Sequence, residues 1–229
     1  MKISEIIVKK LIIVAGHYGS GKTNVAVNLA IALREESFPV TLVDLDTVNP
    51  YFRAADSVSM LGGLGIDTIV PEFANTNVDI PSLPSEINSI FDALRDGRDK
   101  ERYYIFDVGG DDGAAALGMY RDRIEEAGYE MICVINRFRP LISEVEDAVS
   151  DMRDIERFSG LRVTSAVNNS SVGEETVTDD VLSSVPYAGR FSESTGIPLL
   201  FTSYIPSDRI DLHEYQGFFK MKNITKKLY

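Results

Sequence analysis

Residues 16–30 read GHYGSGKTNVAVNLA, and this stretch decides the fold. Gly16, Gly21, Lys22 and Thr23 match the pattern G-x-x-x-x-G-K-[ST] of a phosphate-binding loop. Glycines let successive backbone N–H groups turn inward around phosphates, and the helix that follows directs the positive end of its dipole there. The motif follows an apolar run, LIIVAG, and opens a helical pattern, which is the context that such a loop requires.

The loop therefore predicts a nucleotide site. Lys22 is expected to neutralise the β- and γ-phosphates, and the Thr23 hydroxyl to bind Mg²⁺. We expect the whole loop to contact the nucleotide, through Gly16, His17, Tyr18, Gly19, Ser20, Gly21, Lys22, Thr23 and Asn24.

The rest of the chain repeats the alternation of strand and helix. Continuous apolar runs between helical patterns indicate a parallel sheet covered on both faces. We predict an α/β fold, a three-layer sandwich with a mostly parallel central sheet. Helices are predicted from about Lys22 to Glu36 and from Ile142 to Ile155. The predicted strands are residues 11–16, 40–44, 103–107, 131–136, 162–168 and 197–202.

The length of 229 residues and a hydrophobic fraction of 44% suit one domain over residues 1–229. Residues 56–100 are less regular. They contain a predicted strand IDTIV (66–70), a polar loop (73–84) with Asp79, and a helix that begins at Ser82 or Ser85. We place any specialised function in this segment, because long loops at the edge of an α/β sheet often carry function. The loop with Asp79 either contacts a client or a small substrate or is a structural crossover.

Composition excludes several classes of function. The net charge of -12 disfavours nucleic-acid binding, and no apolar run approaches the length that crosses a bilayer. The N-terminus lacks a cleavage site, so we expect a cytoplasmic protein. Cys133 is the single cysteine and lies in an apolar run, so it is predicted to be a buried core residue. We predict no metal cargo on the thiols of this chain.

Two acidic strand ends supply the other half of the predicted site. YYIFDVGGD ends a strand at Asp107, where the carboxylate can hold Mg²⁺ through a water, and Gly110 lets the backbone approach the γ-phosphate. VTLVDLD ends at Asp44, and Asp46 follows in a loop that also contains Thr47, Asn49, Pro50 and Arg53. Asp46 can orient a water for attack on the γ-phosphate, or it is a solvated acid in a turn. Thr23, Asp46 and Asp107 are the predicted metal-binding residues.

GHYGSGKT, VDLDTVNP and IFDVGG, in this order, resemble the MinD/ParA/CobQ group of P-loop ATPases. AVNNSSVGEET also resembles the strand end whose asparagine holds adenine in that group. The resemblance implies the P-loop NTPase fold and a catalytic role for Lys22 and Asp46. It also implies that Asp46 positions water, that Asp107 associates with Mg²⁺, and that Asn168 contacts adenine.

One residue departs from the family pattern. The resemblance implies a lysine at the second loop position that reaches the ATP of a partner in a homodimer, and His17 stands there instead. An imidazole is shorter and carries no fixed positive charge, so the sequence does not predict cross-subunit activation by that route, whereas it still predicts ATP binding. His17 either contacts phosphate in cis, senses a partner, or is a loop residue covered by its neighbours. Tyr18, in place of glycine, makes the loop bulkier.

The base is predicted to be adenine by exclusion. Guanine sites carry an N-K-x-D pattern, and neither residues 136–139 (NRFR) nor residues 168–171 (NNSS) match it. Asn136 at a strand end either touches the ribose or caps the loop.

The C-terminal stretch GFFKMKNITKKLY carries lysines and no acid. One interpretation is an amphipathic element that binds a membrane or a partner, and the other is a terminal element packed on the sheet. The residues at helical spacing are Phe218, Met221, Ile224 and Leu228, and the lysines are Lys220, Lys222, Lys226 and Lys227.

Three functions follow from these residues. The preferred one is a slow Mg-ATPase that acts as a switch: hydrolysis of ATP to ADP relaxes the loops at 46–53 and 108–113, and an unknown protein partner reads the change. The second is an ATP-dependent synthetase or transferase of the CobQ or dethiobiotin-synthetase kind. The third is a nucleotide-binding regulator with negligible turnover.

Overall fold

The computed structural model describes residues 1–46, 55–70 and 85–224. In this part of the chain eight strands form one sheet in the order β3-β2-β4-β1-β5-β6-β7-β8, and every neighbouring pair is parallel. The strands are β1 (Leu11–Ala15), β2 (Val40–Asp44), β3 (Ile66–Ile69), β4 (Tyr103–Asp107), β5 (Tyr129–Ile135), β6 (Ser165–Asn168), β7 (Leu199–Tyr204) and β8 (Phe218–Lys220).

Helices cover both faces of this sheet. They are α1 (Ile3–Ile6), α2 (Lys22–Glu35), α3 (Ala55–Gly63), α4 (Ser85–Asp96), α5 (Asp111–Gly118), α6 (Arg121–Ala127), α7 (Val145–Ser159) and α8 (Thr178–Thr195). None of the helices among the described residues is both long and apolar enough to span a membrane.

The side chains of β1 show why its sequence is apolar throughout. Leu11, Ile13 and Ala15 join the hydrophobic cluster that contains α7 and α8, whereas Ile12 and Val14 join the cluster that contains α2. Alternate residues of a strand face opposite sides of a sheet, so a strand buried on both sides needs an unbroken apolar run. The predicted three-layer α/β fold is confirmed, and the sheet is wholly parallel rather than mostly parallel.

The strands match the predicted runs with shifts at their ends. β2 and β4 have the predicted bounds, whereas β6 begins at Ser165 instead of residue 162. Leu161 and Val163, ahead of β6, are buried in the core without extending the strand. β7 begins after Pro198, which has no N–H to donate to a neighbouring strand.

The structure gives the first residues of two predicted helices. α7 begins at Val145, because Pro140–Ile142 form a separate 3₁₀ turn and Glu144 is extended. α4 begins at Ser85, one of the two predicted starts, and Ser82 lies outside the described residues. The polar loop with Asp79 and the loop residues Thr47, Asn49, Pro50 and Arg53 also lie outside them.

The described part of the C-terminal segment is not an amphipathic helix, which was the first of the two interpretations. Phe218–Lys220 form β8 at the edge of the sheet, and Met221 and Ile224 are buried. The second interpretation, a terminal element packed on the sheet, is therefore correct up to residue 224. Residues 225–229, with Lys226, Lys227 and Leu228, lie outside the described part.

Two buried asparagines of α2 hold this segment. The amide of Asn28 donates to the Lys222 carbonyl (3.0 Å) and accepts from the Lys222 N–H (2.7 Å). The Asn24 side-chain oxygen accepts from the Ile224 N–H (3.3 Å). Both asparagines are less than one-tenth exposed, so their amides need these partners.

We expect Asn28→Ala to lower the free energy of unfolding by about 1 to 3 kcal/mol, because it leaves both backbone groups of Lys222 without their partner. Urea unfolding followed by circular dichroism measures this change. Glu35→Ala is the matched control, since it removes only the exposed ion pair to the Lys222 ammonium, and we expect an effect below about 0.5 kcal/mol. Equal effects of the two substitutions would contradict the role of Asn28.

Candidate nucleotide-binding site

Residues 16–21 connect β1 to α2 in a conformation that needs glycine. Gly16 has a φ of +147° and Gly21 a φ of +91°, which residues with a side chain rarely adopt. A Cβ on Gly16 would lie 2.5 Å from the Val134 carbonyl oxygen, and one on Gly21 would lie 2.1 Å from the Asn169 side-chain nitrogen. The loop is therefore packed tightly between β1 and the ends of β5 and β6.

Lys22 opens α2 and folds back over the loop. Its ammonium donates to the His17 carbonyl at 3.1 Å, and the residue is only 6% exposed. Burial lowers the pKa of Lys22, and the carboxylates of Asp107 and Asp46 oppose this shift. A lysine in this position faces the centre of the loop, where the motif requires it.

Three carboxylates meet beside the loop at the carboxyl ends of β2 and β4. Asp44 and Asp107 are register partners on these adjacent strands. The Asp46 N–H donates to the Asp44 carboxylate at 2.9 Å. A Cβ on Gly109 would lie 2.7 Å from an Asp46 carboxylate oxygen, so glycine at that position lets the turn after β4 approach Asp46. The structure thus brings the two predicted acids, Asp46 and Asp107, to one edge of the sheet next to Lys22.

Asp107 is the most unusual of these groups. It is 1% exposed, and neither carboxylate oxygen has a hydrogen bond of good geometry among the described residues. Burial raises the pKa of Asp107 to about 7; Asp44 adds to the rise, and the nearby Thr23 hydroxyl and Lys22 oppose it. A buried carboxylate beside the Thr23 hydroxyl, with neither oxygen in a well-formed hydrogen bond among the described residues, fits a cation ligand.

These groups fit Mg²⁺ bound together with a nucleotide better than Mg²⁺ bound to the protein alone. Among the described residues no three His, Cys, Asp or Glu side chains form a metal-binding group. Mg²⁺ commonly takes one or two protein ligands and completes its shell with phosphate oxygens and waters. Thr23 and Asp107 would hold it on the protein side, near Asp46.

We expect Asp107→Asn to stabilise the nucleotide-free protein at neutral and higher pH. Between pH 4 and pH 7 the native state keeps the Asp107 proton that the unfolded chain releases, so wild-type stability falls as pH rises through this window. Asparagine does not titrate, so the variant avoids this loss. The difference in free energy of unfolding between Asp107→Asn and the wild type should increase by about 3 kcal/mol from pH 5 to pH 8.

Urea unfolding at both pH values, without nucleotide or Mg²⁺, tests this expectation. Asp122→Asn is the control and should follow the wild type, because Asp122 is an exposed carboxylate on α6, which leads into the amino end of β5 at the opposite edge of the sheet. A gap that does not change with pH would show that Asp107 is not a buried acid of raised pKa.

The remaining residues that were predicted to contact the nucleotide lie in different environments around the loop. Gly110 precedes α5, and a Cβ there would meet no atom within 4 Å. His17 is half-buried, with Nδ1 2.8 Å from the Tyr18 carbonyl oxygen, and Tyr18 is 64% exposed. The Ser20 hydroxyl is buried without a partner among the described residues. The side chain of Asn24 is directed to the C-terminal segment instead of the loop.

Asn168 lies inside the protein. Its amide donates to the Ser184 (2.8 Å) and Thr202 (3.2 Å) hydroxyls, it accepts from Ser170 (2.6 Å), and its exposure is 0%. Its contact with adenine stays a prediction that would require the side chain to exchange these partners. Asn136 caps its loop, accepting from the Phe138 N–H at 3.0 Å, which is one of its two predicted roles.

Sequence reasoning missed two residues that contact the phosphate loop. The Asn169 amide donates to the Ser20 carbonyl at 2.8 Å and accepts from the Ser203 hydroxyl at 2.7 Å. The Arg139 Nε donates to the Gly19 carbonyl. Both residues follow strands that end at the same sheet edge as the loop, and this common position is the signal that could have indicated them.

Comparisons with known proteins agree with this geometry. Residues 11–196 match the family model for the CobQ/CobB/MinD/ParA nucleotide-binding domain. The chain belongs to this family, as the motifs predicted. No curated protein matches the sequence.

Solved structures share the fold at low sequence identity. The cell division protein FtsY of Thermotoga maritima has a TM-score of 0.56 at 19% identity, with 85% of this chain and 61% of that one covered. FtsY of Elizabethkingia anophelis, solved in complex with GDP, has a TM-score of 0.51 at 17% identity, with 85% and 57% covered. A nucleotide-binding protein of Archaeoglobus fulgidus, in complex with ADP, has a TM-score of 0.49 at 16% identity, with 90% and 87% covered. This chain spans about three-fifths of the FtsY chains.

Proposed function

We propose that this protein is a slow Mg-ATPase that acts as a nucleotide-dependent switch. The observation that carries the proposal is the meeting of Lys22, Asp46 and Asp107 at one sheet edge, on a loop shaped to bind phosphate. Hydrolysis of a nucleotide needs a phosphate site, compensation for negative charge and a group that orients water, and these residues supply all three.

In this mechanism the loop N–H groups bind the phosphates and Lys22 neutralises the β- and γ-phosphates. Mg²⁺, held by Thr23 and Asp107, would supply positive charge to the phosphate oxygens. Asp46 is half-buried at the edge of the site and orients the attacking water. Gly109 lets the turn after β4 lie against Asp46. This turn would therefore change its position when the γ-phosphate leaves.

Adenine is the proposed base. The N-K-x-D pattern of guanine sites is absent from the sequence, and Asn136 is engaged in capping its own loop through the N–H groups of Phe138 and Ser171. The assay therefore compares ATP and GTP directly.

We expect the wild type to release phosphate from ATP with Mg²⁺ and no added substrate. Asp46→Ala should lower this rate at least about 100-fold and leave ADP affinity within about threefold, because Asp46 acts on water and not on the bound nucleotide. Phosphate release and fluorescent-nucleotide binding measure the two quantities. Asp122→Ala, at an exposed position on α6, is the control carboxylate.

Other outcomes contradict the proposal in distinct ways. Faster turnover of GTP would overturn the choice of base. Tight ATP binding without turnover would indicate a regulator, and turnover only with an added small substrate would indicate a synthetase or transferase. Light scattering of Asp46→Ala tests for a nucleotide-gated homodimer: a dimer with Mg-ATP and a monomer with Mg-ADP would establish it, and one mass in both would exclude it.

A further inference from the structure

Asn169 connects the phosphate loop to strand β7. Its side-chain nitrogen donates to the Ser20 carbonyl at 2.8 Å, and its side-chain oxygen accepts from the Ser203 hydroxyl at 2.7 Å. Only this orientation of the amide gives the Ser20 carbonyl a donor. Asn169 is 7% exposed, so both ends of its amide are paired inside the protein.

The position of Asn169 is fixed from both sides. Its backbone N–H donates to the Ile135 carbonyl at the end of β5 at 2.9 Å, while Ser203 holds its side chain from β7. β6 lies between these two strands, so the amide reaches the loop after β1 from a rigid support. A Cβ on Gly21 would lie 2.1 Å from the amide nitrogen, and this close approach therefore requires glycine there.

The contact at the Ser20 carbonyl determines the direction of the next N–H group. The peptide between Ser20 and Gly21 is trans, so its C=O and N–H groups point in opposite directions. The C=O group faces Asn169, and the Gly21 N–H therefore points away from it. This N–H has no hydrogen-bond acceptor among the described residues.

That direction leads to the phosphate side of the loop. Asn169 contacts the loop from the β6 side, whereas Asp107 ends β4 on the other side of β1. The Ser20 N–H and the Lys22 ammonium both donate to the His17 carbonyl, so these groups mark the inside of the loop. A free N–H at the amino end of a helix, beside a lysine, is a donor suited to phosphate.

We propose that Asn169 is a positioning residue of the phosphate site, which holds the Ser20 carbonyl outward so that the Gly21 N–H binds the phosphates of the nucleotide. Asparagine suits this role because its short amide donates to the loop while its oxygen is held by Ser203. A donor fixed before the ligand arrives binds without a further cost of ordering. The inference rests on the phosphate site of the proposed function and does not require hydrolysis.

Asn169→Ala tests the inference through affinity for two probes, ADP and inorganic pyrophosphate. We expect the Kd of both to rise about tenfold and by the same factor, because the Gly21 N–H serves phosphate and not the base. Isothermal titration calorimetry with Mg²⁺ measures both. Ser203→Ala leaves the donor in place but frees the amide to turn, so it should raise both Kd values about threefold.

Asn28→Ala is the matched control for a general loss of stability. Asn28 is also a buried asparagine that holds backbone groups, but its partners lie in the C-terminal segment. We expect this variant to keep both Kd values within about twofold of the wild type.

The amide resonance of Gly21 reports the contact directly. In the wild type, saturating ADP should shift this proton downfield, since a hydrogen bond to phosphate withdraws electron density from it. In Asn169→Ala with saturating ADP the shift should be less than about half as large. An equal shift in both proteins would show that Asn169 does not direct this N–H.

Two other results would overturn the inference. Unchanged affinity of Asn169→Ala, or of Ser203→Ala where the first variant does not fold, would show that the loop needs no such support. A loss of affinity for ADP but not for pyrophosphate would show that Asn169 acts on the base.

Failure of the proposed function has a different signature. A wild type that binds ADP and pyrophosphate without hydrolysing ATP is not an ATPase, yet the affinity comparison still tests Asn169. A wild type that binds neither probe would contradict the phosphate site and the inference together.

Discussion

Asp107 ends β4 in a fully buried position, beside Lys22 and Thr23, with no hydrogen bond of good geometry to its oxygens among the described residues. Burying an unpaired carboxylate opposes folding, and burial raises the pKa of Asp107 to about 7. A cation bound next to Asp107 would compensate the negative charge of the ionised carboxylate. Mg²⁺ bound with a nucleotide would therefore offset the cost of burying this carboxylate. Nucleotide binding and folding stability are thus linked through Asp107.

The surroundings of Asp107 follow from the parallel sheet. β2, β4, β1 and β5 lie side by side, so the turns after them meet at one edge and bring together groups that are distant in the chain. Asp44 lies opposite Asp107 on the adjacent strands β2 and β4. The loop after β1 lies between these two aspartates and the turn that carries Arg139. Strand order, more than any single contact, determines which charges share the site.

The fold could be predicted because its signals are local. A strand buried on both faces must be apolar throughout, so β1, β2 and β4 appear directly in the sequence, and the glycine pattern of residues 16–21 specifies a loop of positive φ. Strand ends were less accurate where apolar residues such as Leu161 enter the core outside a strand. The positions of Asp46 and Asp107 beside Lys22 were predictable because Asp107 ends such a strand and Asp46 follows one.

Other features depend on contacts between distant segments and left no local pattern. Asn168 and Asn169 are adjacent in sequence, yet one is enclosed by Ser184 and Thr202 and the other holds the phosphate loop, a difference that only the packing of β6 between β5 and β7 decides. Arg139 is one of 23 basic residues, and only its position after a strand that ends at the edge of the phosphate loop could have indicated it. The spacing of the apolar residues in the C-terminal stretch allowed a helix as one of two interpretations, but residues 218–220 form β8 on the edge of β7.

The pairing of α2 with the C-terminal segment also bears on how the chain folds during synthesis. Asn28 and Asn24 find their backbone partners at Lys222 and Ile224, 194 and 200 residues later. Until a ribosome has released those residues, the helix that follows the phosphate loop carries two amides that cannot be buried without cost. The helix that follows the phosphate loop therefore completes its packing only when residues 222–224 are available to it.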